Sequence, residues 1–269
     1  MGAVTLRVAD VDTVLRFYTD GVGLEVLEST DAGYVLGHGG RAALILEFSK
    51  HLLHAGSSEA GLFHTAFLFQ TEAELAQSVA RVASKFPGSF TGSADHLVSE
   101  AFYFDDPEGN GVELYVDRPR QLWERVDGEI KMATLPLDPN DYLRKHLGNI
   151  SELSPAVGHV HLSVGNLPQA KDFYVDTLGF EVTTNYGQSA MFVSVGGYHH
   201  HMAMNIWKSR GAGRRQQTLG LGDVSLLLGE PERLFALEQR LKELGRSYRF
   251  DGQIIRLDDP WGNQVSIRA

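Results

Sequence analysis

Four stretches of the chain carry side chains that could hold a metal ion or move a proton. Asp95 to Glu113 (DHLVSEAFYFDDPEGNGVE) contains His96, Tyr103 and Glu113. The run GHVHLSV contains His159 and His161, and Tyr198 to His201 (YHHH) leads into Met202-Ala203-Met204. His64 stands alone in the apolar run GLFHTAFLF. Imidazole nitrogens and carboxylate oxygens suit divalent transition ions, and imidazole titrates nearest to neutrality. The chain has 11 His and no Cys, which excludes disulfides, thiolate zinc sites, iron–sulfur clusters and cysteine nucleophiles. Any metal must therefore sit on His, Asp or Glu. A single His is most often a surface or hydrogen-bonded core residue, so only its position in the chain can raise those odds.

The elements that position these residues come from a repeat. With Val4 placed over Val160, an offset of 156, VTLRVADVDTVLRFYTDGVGLEV lies over VHLSVGNLPQAKDFYVDTLGFEV without a gap. Phe17-Tyr18 falls over Phe173-Tyr174, and Gly23 over Gly179. Phe104 to Leu114 (FDDPEGNGVEL) likewise matches Leu257 to Ile267 (LDDPWGNQVSI). In the first copy an alternating strand, Val4 to Val8, runs into a helix with Val11, Val14, Leu15, Phe17 and Tyr18 at helical period, stopped by Gly21 and Gly23. Three short β-rich runs follow, Leu24 to Leu27, Gly33 to Leu36 and Ala42 to Phe48, punctuated by glycine. This βαβββ unit recurs from Leu62 with a helix over Glu72 to Val82, from His159, and from Leu219 with a helix over Pro231 to Leu244.

The expected fold class is α+β: four βαβββ units at 1–49, 60–117, 156–208 and 216–269, grouped into domains 1–117 and 156–269. The span 118–155, polar and carrying Pro119, Pro136, Pro139 and Pro155, is expected to be a linker with a short helix near Asp141 to Leu147.

With 24 Lys+Arg, 34 Asp+Glu and 43% apolar residues in 269, the composition is that of a folded soluble protein of net charge −10. Scattered basic residues argue against a nucleic-acid partner, and no apolar run approaches the ~18 residues of a membrane helix. A cytoplasmic protein is expected, and exposed strand edges leave a homo-oligomer open.

Four such units resemble the vicinal oxygen chelate superfamily, whose paired units curl their sheets into open cups that hold a metal. The resemblance covers nearly the whole chain. In that family the ligands come from the first and last strands of units facing a cup, which matches His64, Glu113 and His159 by location. Their repeat counterparts are Asp223, Ser266 and Ala3, which could not form the same site. Two His and a carboxylate meet in one cup only if unit two pairs with unit three, leaving unit one with unit four. Cross-paired cups are therefore expected, given a bound metal. His161, two residues along the same strand face, is the rival ligand. The family pattern His-x-x-Leu-x-Val, met by His159, Leu162 and Val164, favours His159.

Asp95 to Glu113 is similar to the signature of the extradiol ring-cleaving dioxygenases, the catechol 2,3-dioxygenases of this superfamily: His96, Phe102-Tyr103, Asp106-Pro107, Gly109 and Glu113, with Ala94 departing from the usual set. The Asp-Pro-x-Gly-Asn segment reads by itself as a hairpin turn. The fourth unit keeps that turn at Asp259-Pro260 and Gly262-Asn263 but lacks the His, Tyr and Glu, so their joint presence in the second unit favours a functional reading. The resemblance implies Fe(II), with Mn(II) a substitute, held by His64, His159 and Glu113. A small aromatic diol and O2 would be its substrates and a 2-hydroxymuconic semialdehyde-type compound its product. His200 is implied as the acid/base, with His199 next in line, and His96 and Tyr103 as groups that hydrogen-bond the substrate. His199, Phe102, Phe192 and Met202 are candidates to line the substrate site. A glyoxalase-like isomerase or lyase and a metal-free binding protein are the alternatives on this scaffold.

Overall fold

The computed structural model describes every residue except Asn149 and Ser151. Unit one contains β1 (Val4–Val8), α1 (Val11–Arg16), β2 (Glu25–Thr30), β3 (Gly33–His38) and β4 (Arg41–Phe48). Unit two contains β5 (Gly61–Phe69), α2 (Glu72–Lys85), β6 (Phe90–Asp95), β7 (Ser99–Asp105) and β8 (Gly111–Asp117). The connecting span carries a two-stranded hairpin, β9 (Arg125–Val126) and β10 (Glu129–Ile130), then α3 (Pro139–His146). Unit three contains β11 (Ala156–Ser163), α4 (Leu167–Lys171), β12 (Glu181–Tyr186), β13 (Ala190–Ser194) and β14 (Met202–Asn205). Unit four contains β15 (Gly220–Leu227), α5 (Pro231–Glu243), β16 (Arg249–Phe250), β17 (Ile254–Asp258) and β18 (Gln264–Arg268). No helix among the described residues is long and apolar enough to cross a membrane.

The strands pair across the two halves of the chain, as the repeat logic requires. One eight-stranded sheet runs β12-β13-β14-β11-β5-β8-β7-β6, uniting unit three with unit two. The other runs β16-β17-β18-β15-β1-β4-β3-β2, uniting unit four with unit one. The helices instead pair within a half. Ser78 Oγ of α2 donates to the Val22 carbonyl at 3.0 Å, and Gly21 lets Val82 and Phe86 approach so closely that a Cβ there would meet them at 3.1 and 3.2 Å. Helices on the convex faces and alternate strand residues, such as Val112, Leu114 and Val116 of β8, form one buried core.

The connecting span is more than a linker. Thr184 Oγ1 of edge strand β12 donates to the Ile130 carbonyl at 2.6 Å, while Leu135 bridges Asp95 of the opposite edge strand β6. Ile130 and Leu135 are five residues apart, about 17 Å of extended chain at most, so one short segment touches both edges of the curled sheet. The span closes the cup as a strap. It went unrecognised in the sequence because its contacts are long-range and carry no periodic pattern.

Candidate metal centre

Alternation along the strands decides what faces the concave side. On β8, Glu113, Tyr115 and Asp117 share one face, and on β7 Tyr103 pairs directly with Glu113. Ala66 of β5 lies between Glu113 on β8 and His159 on β11 in the ladder. His64 pairs with His161. The β11 register slips at Gly158, where a Cβ would come within 1.7 Å of Tyr115 Oη, so only glycine admits that hydroxyl beneath His159.

His64, Glu113 and His159 are all buried, and one ligand atom from each lies within 4.8 Å of the others. His64 Nε2 lies 2.9 Å and His159 Nε2 3.3 Å from the same carboxylate oxygen, Glu113 Oε2. Burial tends to raise the Glu113 carboxyl, but His159 and His64 outweigh it and hold the group well below the usual carboxylate range. Burial also brings His159 down to about 4 against the pull of Glu113, so its ring is neutral near pH 7. His64 Nε2 and His159 Nδ1 are buried without a hydrogen-bond partner. A buried carboxylate beside imidazole nitrogens, one of them unsatisfied although only 2.9 Å away, is a donor set that a divalent cation would complete.

The rival His161 also faces inward, and its Nε2 accepts from Asn205 Nδ2 at 3.1 Å. At the counterpart positions of the other sheet, Ser266 Oγ donates to Asp223 Oδ2 at 2.5 Å and Gln264 Nε2 to Asp223 Oδ1 at 3.1 Å, so that carboxylate is engaged by its neighbours.

A cavity of about 810 Å³ opens above the cluster, with His64, His96, Tyr103, Glu113, His161 and His200 in its wall. The strap residues Met132, Ala133 and Thr134 complete that wall. His96 Nδ1 donates to the Ala133 carbonyl at 2.7 Å, which leaves His96 Nε2 to accept from the Tyr103 hydroxyl at 2.6 Å. Burial, then the Glu113 charge, push the Tyr103 phenol well above its ordinary value and keep it neutral. The His200 ring centre lies 4.0 Å from that of His159.

The other candidates separate clearly. Phe192 lines the cavity, 5.0 Å from the His200 ring. Phe102 lies on the opposite face of β7, against Tyr142 in the helix core, and Met202 is likewise buried in that core. His199 is fully buried behind His200 and makes its contacts away from the cavity. Asp117, Asn205 and the strap were missed by sequence reasoning. Only Asp117 left a signal, the alternation Glu-x-Tyr-x-Asp along β8.

The sequence model of the Glyoxalase/Bleomycin resistance protein/Dioxygenase superfamily matches residues 1–114 and 156–267. The chain is 37% identical over 97% of its length, and 93% of the relative's, to a protein of Bacillus subtilis (strain 168) named catechol-2,3-dioxygenase. Among solved structures, a putative dioxygenase from Bacillus subtilis aligns with TM-score 0.68 at 16% identity, covering 100% of this chain and 84% of that one. A mutant glyoxalase I from Zea mays aligns with TM-score 0.61 at 18% identity, covering 100% and 91%. At these identities the two structures speak for the fold.

Proposed function

Because the chain belongs to the Glyoxalase/Bleomycin resistance protein/Dioxygenase superfamily, we propose that it is an extradiol dioxygenase cleaving a catechol with O2 at a mononuclear Fe(II) centre. The observation that carries this reading is the buried cluster of His64, Glu113 and His159, of which His64 and Glu113 line a cavity of about 810 Å³ that also presents His200. His64, His159 and Glu113 would hold the ion, and the same ligands would suit Mn(II). When bound, the ion would supply redox-active Lewis-acid chemistry toward the diol and O2.

The chain's own residues supply orientation and proton control. His200 takes a proton from a diol hydroxyl and returns one later in the cycle. Tyr103 donates a hydrogen bond to His96, so its oxygen keeps lone pairs with which to accept a hydrogen bond from a substrate hydroxyl. Phe192 packs against the substrate ring beside His200. Both atoms of O2 are added as the ring bond next to the diol breaks, giving a 2-hydroxymuconic semialdehyde-type product.

The test is elemental analysis of anaerobically purified protein followed by catechol in air. Iron near one per chain with a yellow ring-fission product supports the proposal. Zinc or nickel without colour turns the reading to a glyoxalase-like isomerase, and no metal to a binding protein.

A further inference from the structure

We propose that Asp117 and His199 are positioning residues that fix the tautomer of His200, keeping its Nδ1 protonated and its Nε2 free as a base toward the cavity. The inference rests on the reading of His200 as the acid/base. Asp117 Oδ1 lies 2.8 Å from His199 Nε2. A carboxylate oxygen only accepts, so the His199 proton is on Nε2. The His199 ring is fully buried among Tyr115, Trp123, Tyr198 and His159. A neutral ring with its proton on Nε2 must accept at Nδ1. His200 Nδ1 stands 2.7 Å away and is therefore the donor. His200 Nε2 is then the unprotonated nitrogen.

The local backbone makes this contact between adjacent residues possible. In a regular strand consecutive side chains point to opposite faces. Gly196 and Gly197, at φ +65° and +68°, turn the chain out of that pattern just before Tyr198. Ser194 Oγ then clamps the Tyr198 carbonyl at 2.7 Å, and Thr183 Oγ1 the His199 carbonyl at 2.5 Å. Of the three groups only His200 lines the cavity, so Asp117 and His199 can act on a substrate only through it. One face of β8 thus presents a carboxylate to each part of the site, Glu113 to the metal cluster and Asp117 to the histidine pair.

The test reads the tautomer directly, from nitrogen NMR of protein labelled with ¹⁵N-histidine, with and without diamagnetic Zn(II). The His200 signals are assigned by their loss in His200→Phe. Wild type is expected to show His200 protonated at Nδ1, and Asp117→Leu to show the proton moved to Nε2 or shared between the nitrogens. In the iron-loaded enzyme, kcat for catechol should fall about 10- to 100-fold in Asp117→Leu with KM changed less than about threefold. His199→Asn, whose amide oxygen falls near the Nδ1 position, should restore the tautomer and most of kcat relative to His199→Leu. A His200 proton on Nε2 in wild type, or an unchanged tautomer in Asp117→Leu, would overturn the proposal. If the protein does not cleave catechols, the tautomer result still decides the positioning role, so the two failures are distinguishable.

Discussion

Tyr18 donates its hydroxyl hydrogen to Oδ2 of Asp106 at 3.1 Å, and the repeat-related Tyr174 donates to Asp259 at the same 3.1 Å. Each aspartate also takes backbone hydrogens from its own turn, through Glu108 and Asn110 in one case and Trp261 and Asn263 in the other. The Asp-Pro-x-Gly-Asn segment is therefore a buried pin that ties the helix of one unit to the last hairpin of the next. Its chemistry is structural in both halves, while the functional groups of the second unit lie on either side of it.

Tyr18→Phe removes one of two donors to the buried Asp106 Oδ2, the other being Asn110 Nδ2. The expected cost is about 1–3 kcal/mol, which at about 2–4 °C per kcal/mol for a chain of this size lowers Tm by several degrees. Thermal unfolding at neutral pH checks it, and Tyr174→Phe should behave alike. An unchanged Tm in both variants would mean that the pins are not stabilising.

Anaerobic addition of Fe(II) or Mn(II) should raise Tm, by about 2.7 kcal/mol of stability when the ion stands at 100 times its Kd. Glu113→Ala should abolish that rise and purify with little iron. Stoichiometric iron in Glu113→Ala would remove Glu113 from the ligand set.

His200→Phe should retain iron and lose turnover by about 10²- to 10⁴-fold, the usual scale for removing a general acid/base. Metal analysis and steady-state kinetics on the same preparation check both halves of the expectation. Full activity in the variant would remove His200 from the scheme.

Gly158→Ala puts a Cβ 1.7 Å from Tyr115 Oη and 2.7 Å from its Cζ. Overpacking of this kind costs about 1–3 kcal/mol, and because His159 is the next residue the variant should also bind metal more weakly. Adding Tyr115→Phe removes the closest contact and should recover part of the loss. Urea unfolding of the single and double variants gives the comparison.

Much of this was legible in the sequence because it is written locally or by repetition. Helical and strand periods, glycine stops and the duplicated turn define four units, and the absence of His and Glu at Asp223, Ser266 and Ala3 implies which units must share a sheet. Alternation also implies that Phe102 and Tyr103, adjacent on β7, face opposite ways, and Tyr103 is the one beside Glu113.

By itself, then, the sequence determined the repeat, the pairing of units and the polar residues able to meet in one cup, since each depends on periodicity or on comparison between copies. Tertiary structure alone decided which of His199, His200 and His201 lines the cavity, because two left-handed glycines release that segment from strand alternation. It also decided that Asn205 engages Nε2 of His161, that Asp117 stands behind His199, and that a span which reads as a linker closes the cup. Those contacts join residues far apart in the chain, and their partners are set by how tightly the sheet curls, a property of the whole fold that no local pattern encodes.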